Sequence, residues 1–307
     1  MLSHKLWNPI VVRPIHLLTY PATVIRLSCD RPIVPTFDTR SPATSPAMLQ
    51  SMGITARSLL HRTLCVSFLL LPFSAHTAFA YKPTDGGWIE LIGPGGFDAW
   101  QRVDERLAIG GGAELVPDND RILRATPGEG VLVAERRQGY GSLVTQREFG
   151  DCELHAEFLI ARRSNSCIKL HGHYEIQICD SHGKPDEKLR GSDCGGVYPR
   201  WHFSKGKFKY LDEGVPPNAN ATKPPGEWQT LDVVFRAPLF DDDGNKTENA
   251  RLDSVELNGQ VIHNNVELKT PTGRVNKNAK EFPRRYLLIQ LNHGAVAYRN
   301  VRIRELP

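Results

Sequence analysis

The sequence predicts an all-β protein whose strands pack as a sandwich or jelly roll of two antiparallel sheets. Across residues 81–307, short apolar runs are separated by Gly, Pro, Asn and Asp, the residues that favour turns. Several runs alternate apolar and polar residues, which is the period of a half-buried strand. No long stretch has the period of an amphipathic helix, so we expect no helix beyond a short turn or two.

The expected strands follow one another along the chain. Three short apolar runs come first, at residues 121–125, 130–134 and 142–146. Residues 152–160 then alternate, with the apolar positions on one face and Glu153, His155 and Glu157 on the other. Similar runs predict further strands at residues 174–179, 229–235, 254–258, 286–291 and 296–303.

The first 80 residues are interpreted as an export segment rather than folded protein. Residues 1–47 show no sustained period, and residues 1–51 are expected to be an extension caused by a misassigned start codon, with Met48 or Met52 as the true start. Residues 52–80 combine a basic N-terminal region, a short apolar run and small residues at the expected cleavage site, which is the pattern of a secretory signal peptide. A buried helix of the mature fold is the alternative.

Export changes the charge balance of the folded part. Residues 1–80 hold seven of the 38 basic residues and two of the 34 acidic ones, which leaves 31 and 32 and a net charge of −1 for residues 81–307. This balance gives no support to nucleic-acid binding. We therefore expect a periplasmic or extracellular domain over residues 81–307, with neither a nucleic-acid partner nor a membrane segment after signal cleavage.

Four cysteines remain in this domain, Cys152, Cys167, Cys179 and Cys194. An oxidising compartment makes disulfides reasonable, and we prefer a bond between Cys179 and Cys194 because these two flank a loop. Four buried thiols are the alternative. No C-x-x-C pair is present, so a zinc site is not predicted.

A dense polar cluster around Glu175 marks the candidate site. If residues 174–179 form a strand, period two puts Glu175 and Gln177 on one open face and the intervening isoleucines in the core. The two polar side chains would then stand about 7 Å apart, a span that one sugar ring can bridge. Asp180 lies just beyond the strand end. An ordinary solvated sheet face is the alternative.

Two loops interrupt the regular spacing of strands. Residues 184–223 are rich in Gly, Pro and Lys, and a loop of this length in a compact domain is usually functional or disordered. Its aromatic residues suit stacking on sugar rings, and they are Tyr198, Trp201, Phe203, Phe208 and Tyr210. Residues 241–246 form an acidic turn, which we interpret as a solvated hairpin tip, with a calcium site as the less favoured alternative.

An ordered set of short motifs resembles the 3-keto-disaccharide hydrolase family over about residues 87 to 306. The motifs include Asn165-Ser166-Cys167-Ile168, Tyr174-Glu175-Ile176-Gln177, Gly196-Val197-Tyr198, Gln290-Leu291-Asn292-His293-Gly294 and Tyr298-Arg299-Asn300-Val301. The resemblance implies a concanavalin A-like or laminin-G-like jelly roll. The sequence departs from the family pattern at two positions. Cys167 stands where the family usually has glycine, and Asn292 stands where it usually has Asp or a similar residue. Insertions at residues 200–222 and 238–250 are expected to reshape the rim of the site.

The resemblance also implies an enzyme, a hydrolase or lyase acting on the glycosidic bonds of 3-keto sugars. The C2 hydrogen of such a sugar is acidic because its carbanion is delocalised into the C3 carbonyl. Its removal expels the C1 substituent, and water then adds to the enone. Glu175 and His293 are the candidate base and acid. The candidate substrate-binding residues are Asn165, Gln177, Tyr198, Gln290 and Arg299.

An electrophile for the enolate oxygen is also needed. One candidate is a divalent metal ion bound by Glu175, Asp180 and His293. Each role has a structural alternative: His293 could lie in a plain hairpin turn, and Arg299 in a structural network. The alternative function is a noncatalytic carbohydrate-binding or adhesion module of the same fold. A two-carboxylate glycanase is disfavoured, because Gln177 stands where the second carboxylate would be.

Overall fold

The computed structural model describes residues 87–276 and 279–307, so the predicted extension and signal segment lie outside the described residues. The described part is an all-β sandwich, and its helical structure is confined to 3₁₀ turns such as Asp186–Lys188. No helix among the described residues has the length and apolar character needed to cross a membrane. The predicted fold class is confirmed.

The strands of the described residues, in chain order, are β1 Ile89–Ile92, β2 Ala108–Val116, β3 Asn119–Ala134, β4 Leu143–Phe149, β5 Cys152–Ile160, β6 Asn165–Leu170, β7 Tyr174–Cys179, β8 Arg200–Ser204, β9 Lys207–Tyr210, β10 Gln229–Arg236, β11 Leu239–Phe240, β12 Lys246–Glu248, β13 Ala250–Leu257, β14 Gln260–Leu268, β15 Gly273–Arg274, β16 Arg285–Gln290 and β17 Val296–Glu305.

Two antiparallel sheets form the sandwich. The large sheet has eight strands in the order β14-β13-β10-β5-β17-β3-β2, with β1 also paired to β17, and the small sheet has the order β4-β16-β6-β7. Burial alternates along β5 and β10 as the sequence predicts. Phe158 of the large sheet and Ile176 and Ile289 of the small sheet belong to one buried cluster between the layers. Burying each such side chain contributes about 1.5–3 kcal/mol.

One prediction about the strands is corrected. The runs at residues 121–125 and 130–134 belong to the single long strand β3. Between them Gly128 and Gly130 have φ values of +127° and +88°, which glycine adopts without steric cost. The strand therefore continues through an irregularity in its pairing with β2, where the sequence indicates a turn.

The acidic turn is an exposed hairpin tip. Residues 241–245 join β11 to β12, and Asp241 Oδ1 accepts hydrogen bonds from the backbone N–H of Asp243 at 3.1 Å and of Asn245 at 2.8 Å. The hairpin-tip interpretation is therefore confirmed.

The four cysteines of the described residues are free thiols, so the preferred bond between Cys179 and Cys194 is not formed. Burial raises the pKa of Cys179 to about 12, which keeps it protonated.

A buried histidine links the stability of this core to pH. His171 is 3% exposed, its ring centroid lies 4.9 Å from that of Phe235, and neither ring nitrogen has a hydrogen-bond partner among the described residues. Burial lowers the pKa of His171 from the usual 6.5 to about 4. The unfolded chain therefore binds a proton between these two pH values while the folded protein does not.

We expect the free energy of unfolding to fall by roughly 3 kcal/mol as the pH drops from about 6.5 to about 4. Urea unfolding at several pH values in this range measures the slope of the unfolding free energy against pH. His171→Asn should flatten it, since Asn tolerates the φ of +52° found at this position. His182→Asn, at an exposed site, is the matched control. Equal slopes for His171→Asn and the wild type would contradict the assignment.

Candidate functional site

The pairing of three strands brings the candidate residues together. In the β6–β7 hairpin, Lys169 lies opposite Glu175 and Cys167 lies opposite Gln177. In the next pair, Gln290 of β16 lies opposite Cys167. Directly opposed residues point to the same side of a sheet, so all five side chains share the outer face of the small sheet, away from the core.

Glu175 is buried and paired with a lysine. Its side chain is 8% exposed, and its Oε2 lies 2.8 Å from the Nζ of Lys169. The backbone N–H of Glu175 donates to Thr272 Oγ1 at 2.9 Å. A Cβ placed on Gly273 would lie 3.2 Å from Glu175 Oε2, so the β15 segment covers the carboxylate closely.

The expectation of an open face for Glu175 and Gln177 is therefore wrong. Residues 195–198 of the long loop run along the free edge of β7, where Tyr198 N–H donates to Glu175 O at 3.0 Å and Gln177 N–H donates to Gly196 O at 2.9 Å. Strand period alone could not reveal this covering, because the covering residues come from distant parts of the chain.

The ion pair decides the charges at this face. Burial is the largest single influence on Lys169 and acts to lower its pKa, but the charge and hydrogen bond of Glu175, together with the nearby Cys167 and Tyr286, outweigh it, and the net pKa is raised. Lys169 is therefore an ammonium at neutral pH. Burial, and then the charge of Glu175, raise the pKa of Cys167 well above its usual value, so its thiol stays neutral. The site thus presents a carboxylate and an ammonium beside a neutral thiol.

Gln177 has an unused hydrogen-bonding group. The residue is 2% exposed, and its Oε1 has no hydrogen-bond partner among the described residues. A buried acceptor without a partner costs about 1–3 kcal/mol. A ligand hydroxyl donating to this oxygen would remove that cost, which makes Gln177 a suitable substrate contact.

His293 and Tyr198 lie near enough to Glu175 for its charge to act on both. His293 is exposed in the loop after β16, with its Nδ1 2.5 Å from Asn292 Oδ1. Partial burial, followed by the charges of Arg137 and Lys169, lowers the pKa of His293, and the charge of Glu175 opposes them. Tyr198 is half-buried, and burial, the hydrogen bond to Tyr210 and the charge of Glu175 raise its pKa. Both side chains therefore respond electrostatically to Glu175.

Six of the eight predicted site residues lie on this side of the small sheet. Asn165 is the first residue of β6 and shares the outer face with Cys167, since the two are alternate residues of one strand. The six residues are Asn165, Glu175, Gln177, Tyr198, Gln290 and His293.

Arg299 belongs elsewhere, and its predicted role in substrate binding here is not supported. It lies on β17, where its neighbour Tyr298 points into the core and is 0% exposed. Arg299 consequently points to the outer face of the large sheet, where its Nε donates to Glu157 Oε2 at 2.7 Å and its guanidinium lies 4.1 Å from the Trp228 ring centroid. The structural-network alternative describes it correctly.

The expected metal ligands do not form a site. Among residues 87–276 and 279–307, no three His, Cys, Asp or Glu side chains are grouped so as to hold a metal ion. Asp180 Oδ2 accepts from the backbone N–H of Arg163 at 2.9 Å, and Glu175 is paired with an ammonium that would repel a cation. The set of Glu175, Asp180 and His293 therefore does not fit a divalent metal.

Sequence reasoning missed Lys169 and Thr272, and it named Trp201 only as one of the aromatic residues of the long loop, not as a neighbour of Glu175. Alternation within residues 165–170 could have placed Lys169 on the same face as Asn165. Its contact with Glu175, however, depends on a tight turn in which Gly172 adopts a φ of +62°. Thr272 and Trp201 reach the site from distant segments, and no local pattern signals their approach.

Comparison with known proteins bears out the resemblance. The family model of the 3-keto-alpha-glucoside-1,2-lyase-like domain matches residues 87–304. A crystal structure of a "putative glycosyl hydrolase" from Parabacteroides distasonis ATCC 8503 is 25% identical, with a TM-score of 0.52, over 72% of this chain and 84% of that chain. A second structure of the same description and organism is 20% identical, with a TM-score of 0.38, over 66% of this chain and 100% of that chain. No curated protein matches the sequence.

The family match spans almost all of the described residues, including both strands of the β6–β7 hairpin. The fold agrees with it, since a jelly-roll sandwich is what the resemblance implies. The chain belongs to the carbohydrate-active family of 3-keto-alpha-glucoside-1,2-lyase-like domains.

Proposed function

We propose that the protein is an exported enzyme that cleaves 3-keto-glycosides by elimination and hydration, with hydrolysis as the net result. The observation that carries the proposal is the buried Lys169–Glu175 ion pair beside the unpartnered Oε1 of Gln177. Family membership supports a carbohydrate substrate, and the signal-like segment at residues 52–80 supports export.

The first step is removal of the C2 proton by Glu175. The electron pair of the C2–H bond moves into the C3 carbonyl, so negative charge develops on the C3 oxygen. The ammonium of Lys169, 2.8 Å from Glu175, supplies the positive charge that stabilises this oxygen. In this scheme Lys169 takes the electrophilic role for which the sequence suggested a metal ion.

In the second step the enolate electrons form a C1–C2 double bond and the C1–O bond breaks. His293 donates a proton to the departing oxygen. Water then adds to the double bond: its oxygen bonds to C1, His293 takes up the proton that this water releases, and Glu175 gives a proton to C2, which restores the 3-keto sugar and both catalytic groups. Gln177, Gln290 and Asn165 hold the hydroxyl groups of the ring during these steps.

The test uses 3-keto-trehalose and 3-keto-lactose, with the unoxidised disaccharides as controls and with chelator present or absent. We expect turnover of the keto sugars alone, unaffected by chelator. In deuterium oxide, elimination and hydration place deuterium at C2 of the product when the proton on Glu175 exchanges with solvent before hydration, whereas direct hydrolysis leaves the original hydrogen at C2. Binding of sugars without any turnover would favour the noncatalytic module instead.

The lowered pKa of His293 predicts the form of the pH–rate profile. A general acid must be protonated, so its contribution is lost as the pH rises through its pKa, which lies below the usual 6.5. We expect the rate to decline on the alkaline side from below neutral pH. In His293→Gln the rate should fall about 10²–10⁴-fold and this limb should disappear.

His182→Gln changes an exposed histidine outside the site and serves as the control. An unchanged alkaline limb in His293→Gln would show that another group is the acid. Substrates with good leaving groups need less protonation, so an aryl 3-keto-glucoside should be less affected than 3-keto-trehalose.

A further inference from the structure

A short hairpin beside the ion pair has one wholly aromatic face. Strands β8 and β9 pair so that Trp201 lies opposite Tyr210 and Phe203 lies opposite Phe208. These four residues alternate with polar ones, so period two puts all four rings on one side. We call this side the aromatic face. Its opposite side carries polar residues, including Lys209.

The rings of the aromatic face form one continuous surface. Ring centroids are 5.0 Å apart for Trp201 and Phe208, 5.4 Å for Trp201 and Phe203, and 4.8 Å for Phe208 and Tyr210. The surface is open, since Phe203 is 55%, Phe208 47% and Tyr210 42% exposed. Contiguous exposed aromatic residues of this kind usually mark a binding surface.

The aromatic face is continuous with the candidate active site along two routes. A Cβ placed on Gly273 would lie 3.2 Å from Glu175 Oε2 and 4.0 Å from Trp201 Nε1, so these two groups flank the same glycine. On the second route, the Tyr198 and Tyr210 hydroxyls are 3.2 Å apart. Any group extending from a sugar at Glu175 toward this side therefore meets the aromatic rings.

Arg274 adds a polar edge to the apolar surface. It is paired with Trp201 across β15 and β8, and its guanidinium carbon lies 6.0 Å from the Trp201 centroid and 5.8 Å from that of Phe203. A guanidinium offers up to five N–H donors in one plane. The surface thus combines flat apolar contact with hydrogen-bond donors at its margin.

We propose that the aromatic face binds the leaving group of the substrate, a ring with a flat apolar face and polar atoms at its edge. The inference rests on the proposed function, because it takes the C1 substituent of a sugar held at Glu175 as the occupant. Aryl aglycones and a second pyranose ring share this chemistry, and the test separates them.

The test compares Phe208→Ser with the wild type on three substrates: 4-nitrophenyl 3-keto-glucoside, 3-keto-trehalose and methyl 3-keto-glucoside. Phe208 is exposed, so its replacement should leave the fold intact. We expect KM to rise up to about tenfold for substrates with a ring leaving group, since an aromatic contact contributes about 0.5–1.5 kcal/mol. KM for the methyl compound and every kcat should stay unchanged. Lys209→Ser, on the opposite side, is the matched control.

A rise in KM for the aryl compound alone assigns the aromatic face to aromatic aglycones, and a rise in KM for the disaccharide alone assigns it to a second sugar. Equal KM changes for all three substrates, or no change for any of them, would overturn the proposal.

If the wild type turns over no 3-keto-glycoside, calorimetric titration with unoxidised 4-nitrophenyl glucoside tests ligand binding at the aromatic face independently of catalysis. Binding that is lost in Phe208→Ser supports the face, and absent or unaltered binding refutes it. A change in oligomeric state without a change in ligand affinity would identify a subunit interface and also refute it.

Discussion

Glu175→Gln is expected to reduce kcat/KM for a 3-keto-glycoside by at least about 10²–10⁴-fold, the contribution of a well-placed general base. The amide keeps the shape of the side chain and its hydrogen-bonding capacity but cannot accept the C2 proton. If Glu175 only oriented a hydroxyl group, the amide would keep most of the rate. Steady-state kinetics in water and exchange of the C2 hydrogen in deuterium oxide both measure the loss.

The interpretation of this variant requires that it folds, because it leaves Lys169 without its partner. Removing one member of a buried ion pair is often costly, although the Lys169 side chain is 22% exposed and can reach water. Circular dichroism and the melting temperature test the fold. The double variant Lys169→Met/Glu175→Gln removes the unpaired charge and should regain stability without regaining activity. Wild-type activity in Glu175→Gln would defeat the site assignment.

Lys169→Met is expected to reduce kcat by about 10²–10³-fold, as does removal of one oxyanion-stabilising donor in other enzymes. Methionine replaces the ammonium with an uncharged chain of similar length. The charge that develops on the C3 oxygen then has no cation beside it. The loss should appear mainly in kcat rather than KM, because the ammonium interacts more strongly with the enolate than with the neutral ketone.

A charge-conserving variant separates this role from a purely structural one. Lys169→Arg keeps the positive charge and should retain more of kcat than Lys169→Met, whereas a residue needed only for packing would lose stability in both variants without this difference in kcat. Unaltered kcat in Lys169→Met would exclude Lys169 from the reaction.

The fold class could be predicted because it depends on local regularities. The alternation in residues 152–160 and 229–235 is repeated in the burial of β5 and β10. The error over β3 is local too, since Gly128 and Gly130 permit both a turn and an irregular strand. Neighbouring residues therefore carried most of the information about which segments are strands.

The site was predictable only in part, for a physical reason. Period two places Glu175 and Gln177 on one face whatever the strand packs against, and the sequence alone therefore determined that these two side chains share a face. Period two likewise predicts that Arg299 points to the side of its strand opposite Tyr298. It does not show to which sheet that strand belongs, and therefore on which side of the sandwich Arg299 lies.

Only the tertiary structure decided that Glu175 is buried, that its partner is Lys169, and that an aromatic hairpin adjoins it. Each of these facts depends on contacts between segments far apart in the chain, such as Gly273 with Glu175 and Tyr198 with β7. The sequence determined the strands and the shared face of Glu175 and Gln177, because side-chain alternation is a property of a single strand. Strand pairing and loop docking decided the charge and burial of the site, because these arise from long-range contacts that no local period encodes.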